Sequence, residues 1–294
     1  MKHICSIRLD QRSGEEQLPD FAEDFPYIAT RAELGGYEVP WHWHKAAELF
    51  VVESGCLEYD TPHGRWRFPA GSGGYLNPNV LHTSRVVSGG EETVQLLHLF
   101  APSLLSGGTG SRLEQKFILP LTTSPLELLP LDREENEPLL RMVCHVFSLD
   151  SDAWDHELAV RQELTEIWRQ LLILAQPYLG QRPDGRQADA QIKAMLTYIH
   201  RHYREAITVD QLAEAGLVSR RSCFRLFRET LHRSPLEVIC AYRLEQARRL
   251  LAETDRSVTD IAAACGFDSP GYFARVFAAH GGCTPLQYRR MARS

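Results

Sequence analysis

The 294-residue sequence has no apolar run near the ~18 residues that a membrane-spanning helix needs, so it does not read as an integral membrane protein. It has no Cys-x-x-Cys pair. Its seven cysteines (5, 56, 144, 223, 240, 265, 283) are odd in number and scattered, which excludes a disulfide framework and a thiolate zinc site. They read as reduced thiols of a cytoplasmic protein. Met1-Lys2-His3-Ile4-Cys5 turns polar and acidic too soon for a secretory leader. An excess of basic charge is also missing. Against 38 Asp+Glu stand 32 Lys+Arg, a net charge of −6, which for the whole chain argues against a nucleic-acid partner. What is present is 44% hydrophobic and 24% charged residues, the composition of a folded chain, at a length suited to about two domains.

Division of the chain reverses the charge inference. Residues 1–187 carry 16 basic and 27 acidic side chains, net −11, whereas residues 188–294 carry 16 basic and 11 acidic, net +5. Such asymmetry marks two parts with different partners. The polar stretch 181–189, with Pro183 and Gly185, separates two helical patterns and is the expected linker. Upstream, residues 25–100 hold short Val-, Leu-, Tyr-, Phe- and Trp-rich runs such as Glu48–Glu53, Gly64–Phe68 and Thr93–Phe100. Broken by Gly and Pro, they predict a small all-β barrel or sandwich over about 20–105. Residues 134–149 and 155–176 switch to helical spacing, giving helices over about 134–178; Leu158, Leu164, Trp168, Leu171 and Ala175 are expected on one face.

The C-terminal part repeats itself. Ser219, Arg225, Phe227, Ser234, Pro235 and Leu236 recur 50 residues later as Ser269, Arg275, Phe277, Thr284, Pro285 and Leu286. Leu212-Ala213 corresponds to Ile261-Ala262 at an offset of 49, so the two turns differ by one residue. Each copy reads as a helix, a turn at Gly216 or Gly266, and a second helix capped by Ser219 or Ser269: two helix-turn-helix units. The second helix of such a unit enters a major groove. Arg220, Arg221, Arg225 and Arg228 beside apolar Cys223, Leu226 and Phe227 suit that task. Arginine can pair with guanine or bind phosphate, and only the base contact carries sequence information. The second copy is poorer in charge. Pro270 fits a first helical turn, Gly271 and Ala274 offer little to a base, and Arg275 is the candidate positioning contact.

Arg243-x3-Ala247-x2-Leu250-Leu251, Ile261-Ala262-x3-Gly266-Phe267-x5-Phe273-x-Arg275-x-Phe277 and Thr284-Pro285-x2-Tyr288-Arg289 resemble the DNA-binding domain of AraC/XylS transcription regulators over about 190–291. The resemblance implies seven helices, a long central one over about 235–253, and contacts to successive major grooves of double-stranded operator DNA. It implies base-facing positions for Arg221, Phe224 and Arg225 in the first unit and Pro270, Gly271, Ala274 and Arg275 in the second. Phe224 departs from the usual polar reader, so a thymine methyl is its expected target. Leu217 stands where the family's turn has glycine, so a distorted first turn is expected.

Gly36-x5-His42-x-His44-x3-Glu48-x6-Gly55 matches the first cupin motif, and Gly71-x5-Asn77-x-Asn79-x2-His82 resembles the second. Asn79, in place of a glycine, can adopt the left-handed conformation. His42 and His44 on one extended strand point to the same face, where Glu48 and His82 from neighbouring strands can join them. Three imidazoles and a carboxylate suit divalent Fe, Mn, Ni, Cu or Zn, and spacing does not choose among these. AraC-type sensors are cupin-like and most have lost metal chemistry, so His42, His44, Glu48 and His82 are equally candidates for hydrogen bonds to an effector. Trp41, Trp43, Trp66, Tyr59 and Tyr75 lie near the motif; of these Trp41, Trp43 and Tyr75 are candidate stacking surfaces for a sugar or related metabolite, though rings in a small barrel also form core.

The expected architecture is therefore α+β in two domains. Residues 1–180 form a cupin-like β-barrel with flanking helices for effector sensing and dimerisation, and 190–294 an all-α double helix-turn-helix domain. The expected function is an effector-responsive, sequence-specific DNA-binding regulator, cytoplasmic and homodimeric, which would meet RNA polymerase if an activator. Activation and repression are not distinguished. The alternatives are a metal-dependent cupin enzyme, with only Glu53 or Glu58 as a nearby acid, or a metal sensor, each fused to a DNA-binding module.

Overall fold

The computed structural model describes residues 8–10, 15–18, 21–22, 24–34, 38–87, 92–181 and 186–293. Its strands are β1 (Arg8–Leu9), β2 (Glu16–Gln17), β3 (Tyr27–Leu34), β4 (Glu38–His42), β5 (Ala47–Ser54), β6 (Cys56–Thr61), β7 (Gly64–Pro69), β8 (Gly73–Leu76), β9 (His82–Val86), β10 (Thr93–Phe100) and β11 (Leu128–Leu131). A five-stranded sheet runs β11-β8-β5-β10-β3 and a four-stranded sheet β4-β9-β6-β7, every pairing antiparallel; β1 pairs with β2 apart from both.

Alternation along β5 explains the layering. Phe50 and Val52 pack with Leu57, Tyr59 and Phe68 of the smaller sheet, while Leu49 and Val51 turn the other way into a core with Tyr75 and the helices. The central sheet is thus buried on both faces. The helices of this part are α1 (Ser103–Ser106), α2 (Leu119–Thr122), α3 (Glu137–Val146) and α4 (His156–Leu174). The inner face of α4 consists of Val160, Leu164, Ile167, Trp168 and Leu171, with Ala175 just beyond. Leu158 does not belong to it and is 65% exposed. Six residues at 100° each carry position 158 about 120° away from Leu164.

Gly55, the last glycine of the first cupin motif, has φ +75°, and a Cβ there would approach the Thr93 backbone to 2.8 Å. Asn79 takes φ 63°, as expected of a glycine substitute. Gly36 lies outside the described residues.

Seven helices follow: α5 (Arg186–His202), α6 (Val209–Ala215), α7 (Arg220–Thr230), α8 (Pro235–Glu253), α9 (Val258–Ala264), α10 (Pro270–Gly281) and α11 (Pro285–Met291). The first of these begins inside the expected linker 181–189, of which residues 182–185 lie outside the described residues. Arg243 of α8 donates to the carbonyls of Tyr203 and Glu205, tying the central helix to the end of α5. The second unit has its own core of Phe267, Phe273, Phe277, Ile261 and Leu251. The first does not: Phe227, Leu212, Ile192, Met195, Leu196 and Ile199 share a core with Trp41, Trp43 and Leu81 of the β domain. Six cysteines are described, all free thiols; Cys5 is outside the described residues.

Candidate functional site

His42 ends β4, Glu48 lies on β5 and His82 opens β9, so three strands aim side chains into one space between the sheets. His42, His44 and His82 are 4%, 2% and 1% exposed. Their ligand nitrogens all lie within 4.8 Å of one another. Each Nδ1 is bound to a backbone carbonyl two residues away: His42 to Pro40, His44 to Ala46 and His82 to Val80, at 2.8, 3.0 and 2.9 Å. A carbonyl only accepts, so each Nδ1 carries a proton; the lone pair of His42 and His82 is then on Nε2, whereas His44 Nε2 shares a proton with the Glu48 carboxylate. These lone pairs face the shared centre. Glu48 Oε2 is 3.1 Å from His44 Nε2 and 3.6 Å from His82 Nε2. Tyr59 holds the other Glu48 oxygen through its hydroxyl at 2.8 Å, and Gln95 donates to that hydroxyl at 2.6 Å.

Sequence reasoning missed one acidic residue. Glu16 of β2 brings its carboxylate to 3.5 Å from His42 Nε2. Its backbone N–H donates to the Trp43 carbonyl at 2.8 Å, which fastens β2 beside the histidine segment. Burial raises the Glu16 carboxyl to about 7, against the opposing charge of His44 and with that of Glu48. Burial pushes His42 down to about 4, and the adjacent His44 acts in the same direction. Burial likewise holds His82 well below its ordinary value. Burial would lower His44 too, but its hydrogen bond to Glu48 and the Glu16 and Glu48 charges raise it instead. Glu53 pairs with Arg31 and Glu58 with Arg85, so neither acid is directed to this centre.

The aromatic candidates are placed elsewhere. Trp41 and Trp43 alternate with the histidines and turn outward, against α5. Lys193 of α5 lies 5.3 Å from the Trp43 ring centroid and donates to the Asn79 carbonyl at 2.6 Å. Arg233 pairs with Glu38 of β4 at 2.6 Å. Tyr75 is fully buried on the helix side, bonded to Asn77 and edge-on to Trp168. Trp66 packs half-buried on the inter-sheet core.

The second surface belongs to α7 and α10. Ser219 accepts from the Ser222 N–H and Ser269 from the Tyr272 N–H, the capping bonds expected. Cys223, Leu226 and Phe227 face inward, leaving Arg220, Arg221, Phe224, Arg225 and Arg228 exposed on one side. Arg220 is bound to Asp210 at 2.7 Å and sits over the Phe224 ring. Arg225 is 3.9 Å from Glu229, an exposed and weak pair. On α10, Pro270, Gly271 and Arg275 are exposed and Ala274 half-buried. Tyr272, 48% exposed beneath the Arg275 guanidinium, is a hydrogen-bonding side chain that the motif reading did not include.

The first turn is not distorted. Leu217 and Gly266 occupy matching positions with φ 54° and 78°. In each copy the following N–H reaches back five residues (Val218 to Ala213, Phe267 to Ala262), and the left-handed residue itself bonds three back. Both are the same helix-ending motif. The extra residue of the second copy is Asp268, between Phe267 and Ser269. Gly266 is required because a Cβ would meet the Tyr203 carbonyl at 2.5 Å. Leu217 is 89% exposed and has no such contact, so it carries only the left-handed strain of an L-residue. Leu217→Gly is expected to raise stability by about 1 kcal/mol, read as a higher urea midpoint; a lower midpoint contradicts this reading.

Two family models cover this architecture: an AraC-like ligand binding domain over residues 26–200 and a helix-turn-helix domain over 212–291. The chain belongs to the AraC family of transcription regulators. These families are of regulators, not of enzymes. The AraC-family chain is similar to the uncharacterized HTH-type transcriptional regulator YdeC of Bacillus subtilis, 27% identical over 263 residues and 88% of each chain. It is 42% identical to the regulator CdhR of Pseudomonas aeruginosa over 91 residues, 31% of this chain and 27% of that one. The fold is similar to that of ToxT from Vibrio cholerae, with a TM-score of 0.50 at 14% identity over 90% of this chain and 97% of the other. Among the described residues no helix is long and apolar enough to cross a membrane.

Proposed function

We propose that this AraC-family regulator takes its signal at the His42–His44–His82–Glu48 site, and that a divalent transition metal is the ligand the site accepts. The observation that carries this reading is the shared orientation of the three imidazoles. Each Nδ1–H is committed to a carbonyl, so the other nitrogen of each ring is left for a shared ligand, the three ligand nitrogens lying within 4.8 Å of one another and Glu48 beside those of His44 and His82. Without a cation or added protons that arrangement sets acceptors against acceptors; a metal of the Fe, Mn, Ni, Cu or Zn class supplies the missing positive charge. The sugar reading loses support at this site, since Trp41 and Trp43 face α5 and Tyr75 lies in the helix-side core.

A signal needs a route to DNA, and strand alternation supplies it. The segments that point His42, His44 and His82 inward point Trp41, Trp43 and Leu81 outward, into the core of the first helix-turn-helix unit. A ligand that binds one arrangement of these segments more tightly than another biases the position of α5. The functional division is a sensor over 1–180 and a DNA reader over 190–294. In the reader, Arg221, Phe224 and Arg225 face bases, Pro270, Gly271, Ala274 and Arg275 lie along the second groove, and Arg220 and Arg228 hold phosphates. Exposed Trp154, Leu158 and Ile173 on and beside α4 support pairing as a homodimer. The reading places the protein in the cytoplasm on operator DNA, with RNA polymerase as the further partner of an activator.

Genome-wide mapping of bound sites identifies the operator, and its affinity is then measured with zinc and after chelation. Expected is a change of roughly 5- to 150-fold between the two conditions. An unchanged affinity overturns metal as the signal.

A further inference from the structure

We propose that Glu16 is a fifth ligand of this site, delivered from outside the two sheets, and that it makes the site a closed, charge-balanced receptor for a divalent metal. The inference rests on the metal reading above and concerns the one acidic side chain at the centre, among the described residues, that belongs to neither cupin motif.

Three observations converge. Glu48 serves two of the imidazoles, at 3.1 Å from His44 and 3.6 Å from His82, and Glu16 faces the third, at 3.5 Å from His42. The Glu16 side chain is only 13% exposed although β2 is two residues long and lies in neither main sheet. The segment is fastened to the site twice more, by the Glu16 N–H to the Trp43 carbonyl and by Glu15 to Lys45 at 3.2 Å.

Charge decides what this means. A dication held by three neutral imidazoles and Glu48 alone leaves one positive charge in a buried space, an invitation to an anionic substrate or co-ligand. A second carboxylate cancels that charge. Five protein donors also leave at most one position of an octahedron open. A site filled this way holds its metal as a signal and gives little room for chemistry on it. It also joins β2 to the end of β4, where Trp43 links the two through its carbonyl to Glu16 and its ring to Lys193. Metal capture through Glu16 therefore stiffens the segment against which α5 rests.

The test uses the full-length protein and zinc. Affinity is measured by competition with a chromophoric chelator, and amide hydrogen exchange is followed across residues 8–18. Glu16→Gln is expected to bind zinc roughly 10- to 100-fold more weakly than wild type. Glu16→Asp, which keeps a carboxylate, recovers part of that loss, and Glu15→Gln matches wild type. Zinc should slow exchange of the Glu16 amide in wild type and not in Glu16→Gln. Equal zinc affinity and equal protection in wild type and Glu16→Gln overturn the role of Glu16 and leave a four-residue metal site standing. A wild-type protein that takes up no zinc overturns the metal reading, and this inference with it.

Discussion

Arg225→Ala is expected to weaken operator binding by about 1–3 kcal/mol, some 5- to 150-fold, while leaving affinity for random DNA nearly unchanged. The expectation follows from what surrounds the side chain. Cys223, Leu226 and Phe227 anchor α7 in the core, so its outer face is presented rigidly. Among the described residues Arg225 is held only by an exposed pair with Glu229 at 3.9 Å, which is easily exchanged for a guanine edge. Arg220 differs, being already committed to Asp210 and stacked on Phe224. Its replacement should lower affinity for all sequences alike and reduce the salt dependence by about one phosphate contact. The comparison is made by fluorescence anisotropy on operator and scrambled duplexes at fixed salt. Equal losses on both duplexes for Arg225→Ala would remove it from base reading. The reader's net +5 makes such contacts necessary, because charge alone gives modest attraction and the −11 sensor half repels DNA.

Acid should loosen the sensor through a residue far from any ligand. His98 on β10 is fully buried between the central sheet and α3. Its Nε2 donates to the Val143 carbonyl at 3.0 Å, so its Nδ1 accepts from the Tyr27 hydroxyl at 2.8 Å. The neutral ring satisfies both partners; a proton on Nδ1 would set two donors against each other. Burial accordingly lowers His98 from 6.5 to about 4. The charged form is the one folding disfavours, so the unfolded chain binds the proton first. Stability is full above pH ~6.5, declines as pH falls toward 4, and levels off below that, with a total loss of ~3 kcal/mol from this group. Urea midpoints of wild type and His98→Gln measured between pH 7.5 and 4.5 check it. The variant should be weaker at neutral pH and should lose less on acidification. Parallel pH curves would contradict the assignment.

Much of the fold was legible because its determinants are local. The serine caps of α7 and α10 act on an N–H three residues away, and Gly266 of the second turn answers to a single backbone dihedral. The seven helices and the 235–253 central helix were implied by the family resemblance of the C-terminal motifs, and the structure has both. The three histidines were legible for the same reason, since His42 and His44 are two apart on one segment, His44 just past the end of β4, and alternation fixes their face. That alternation also contained the destination of Trp41 and Trp43: a strand that turns histidines inward must turn its intervening residues outward. What lies outside, α5, is more than 140 residues distant, and no local pattern names it. Glu16 was not legible at all. It reaches the site by a two-residue strand, and nothing in its spacing to His42 distinguishes it from neighbouring Glu15. Tyr272 carried no signal of its own, being aromatic in a helix whose other rings, Phe273 and Phe277, are core.

The central claim is that a ligand on the imidazoles is felt by the DNA reader through the segments that carry them. Operator affinity of wild type and His82→Ala, each with zinc and after chelation, tests it directly. Zinc should shift the wild-type affinity and leave the variant at its metal-free value. A variant that binds operator well but responds to zinc as wild type does would contradict it.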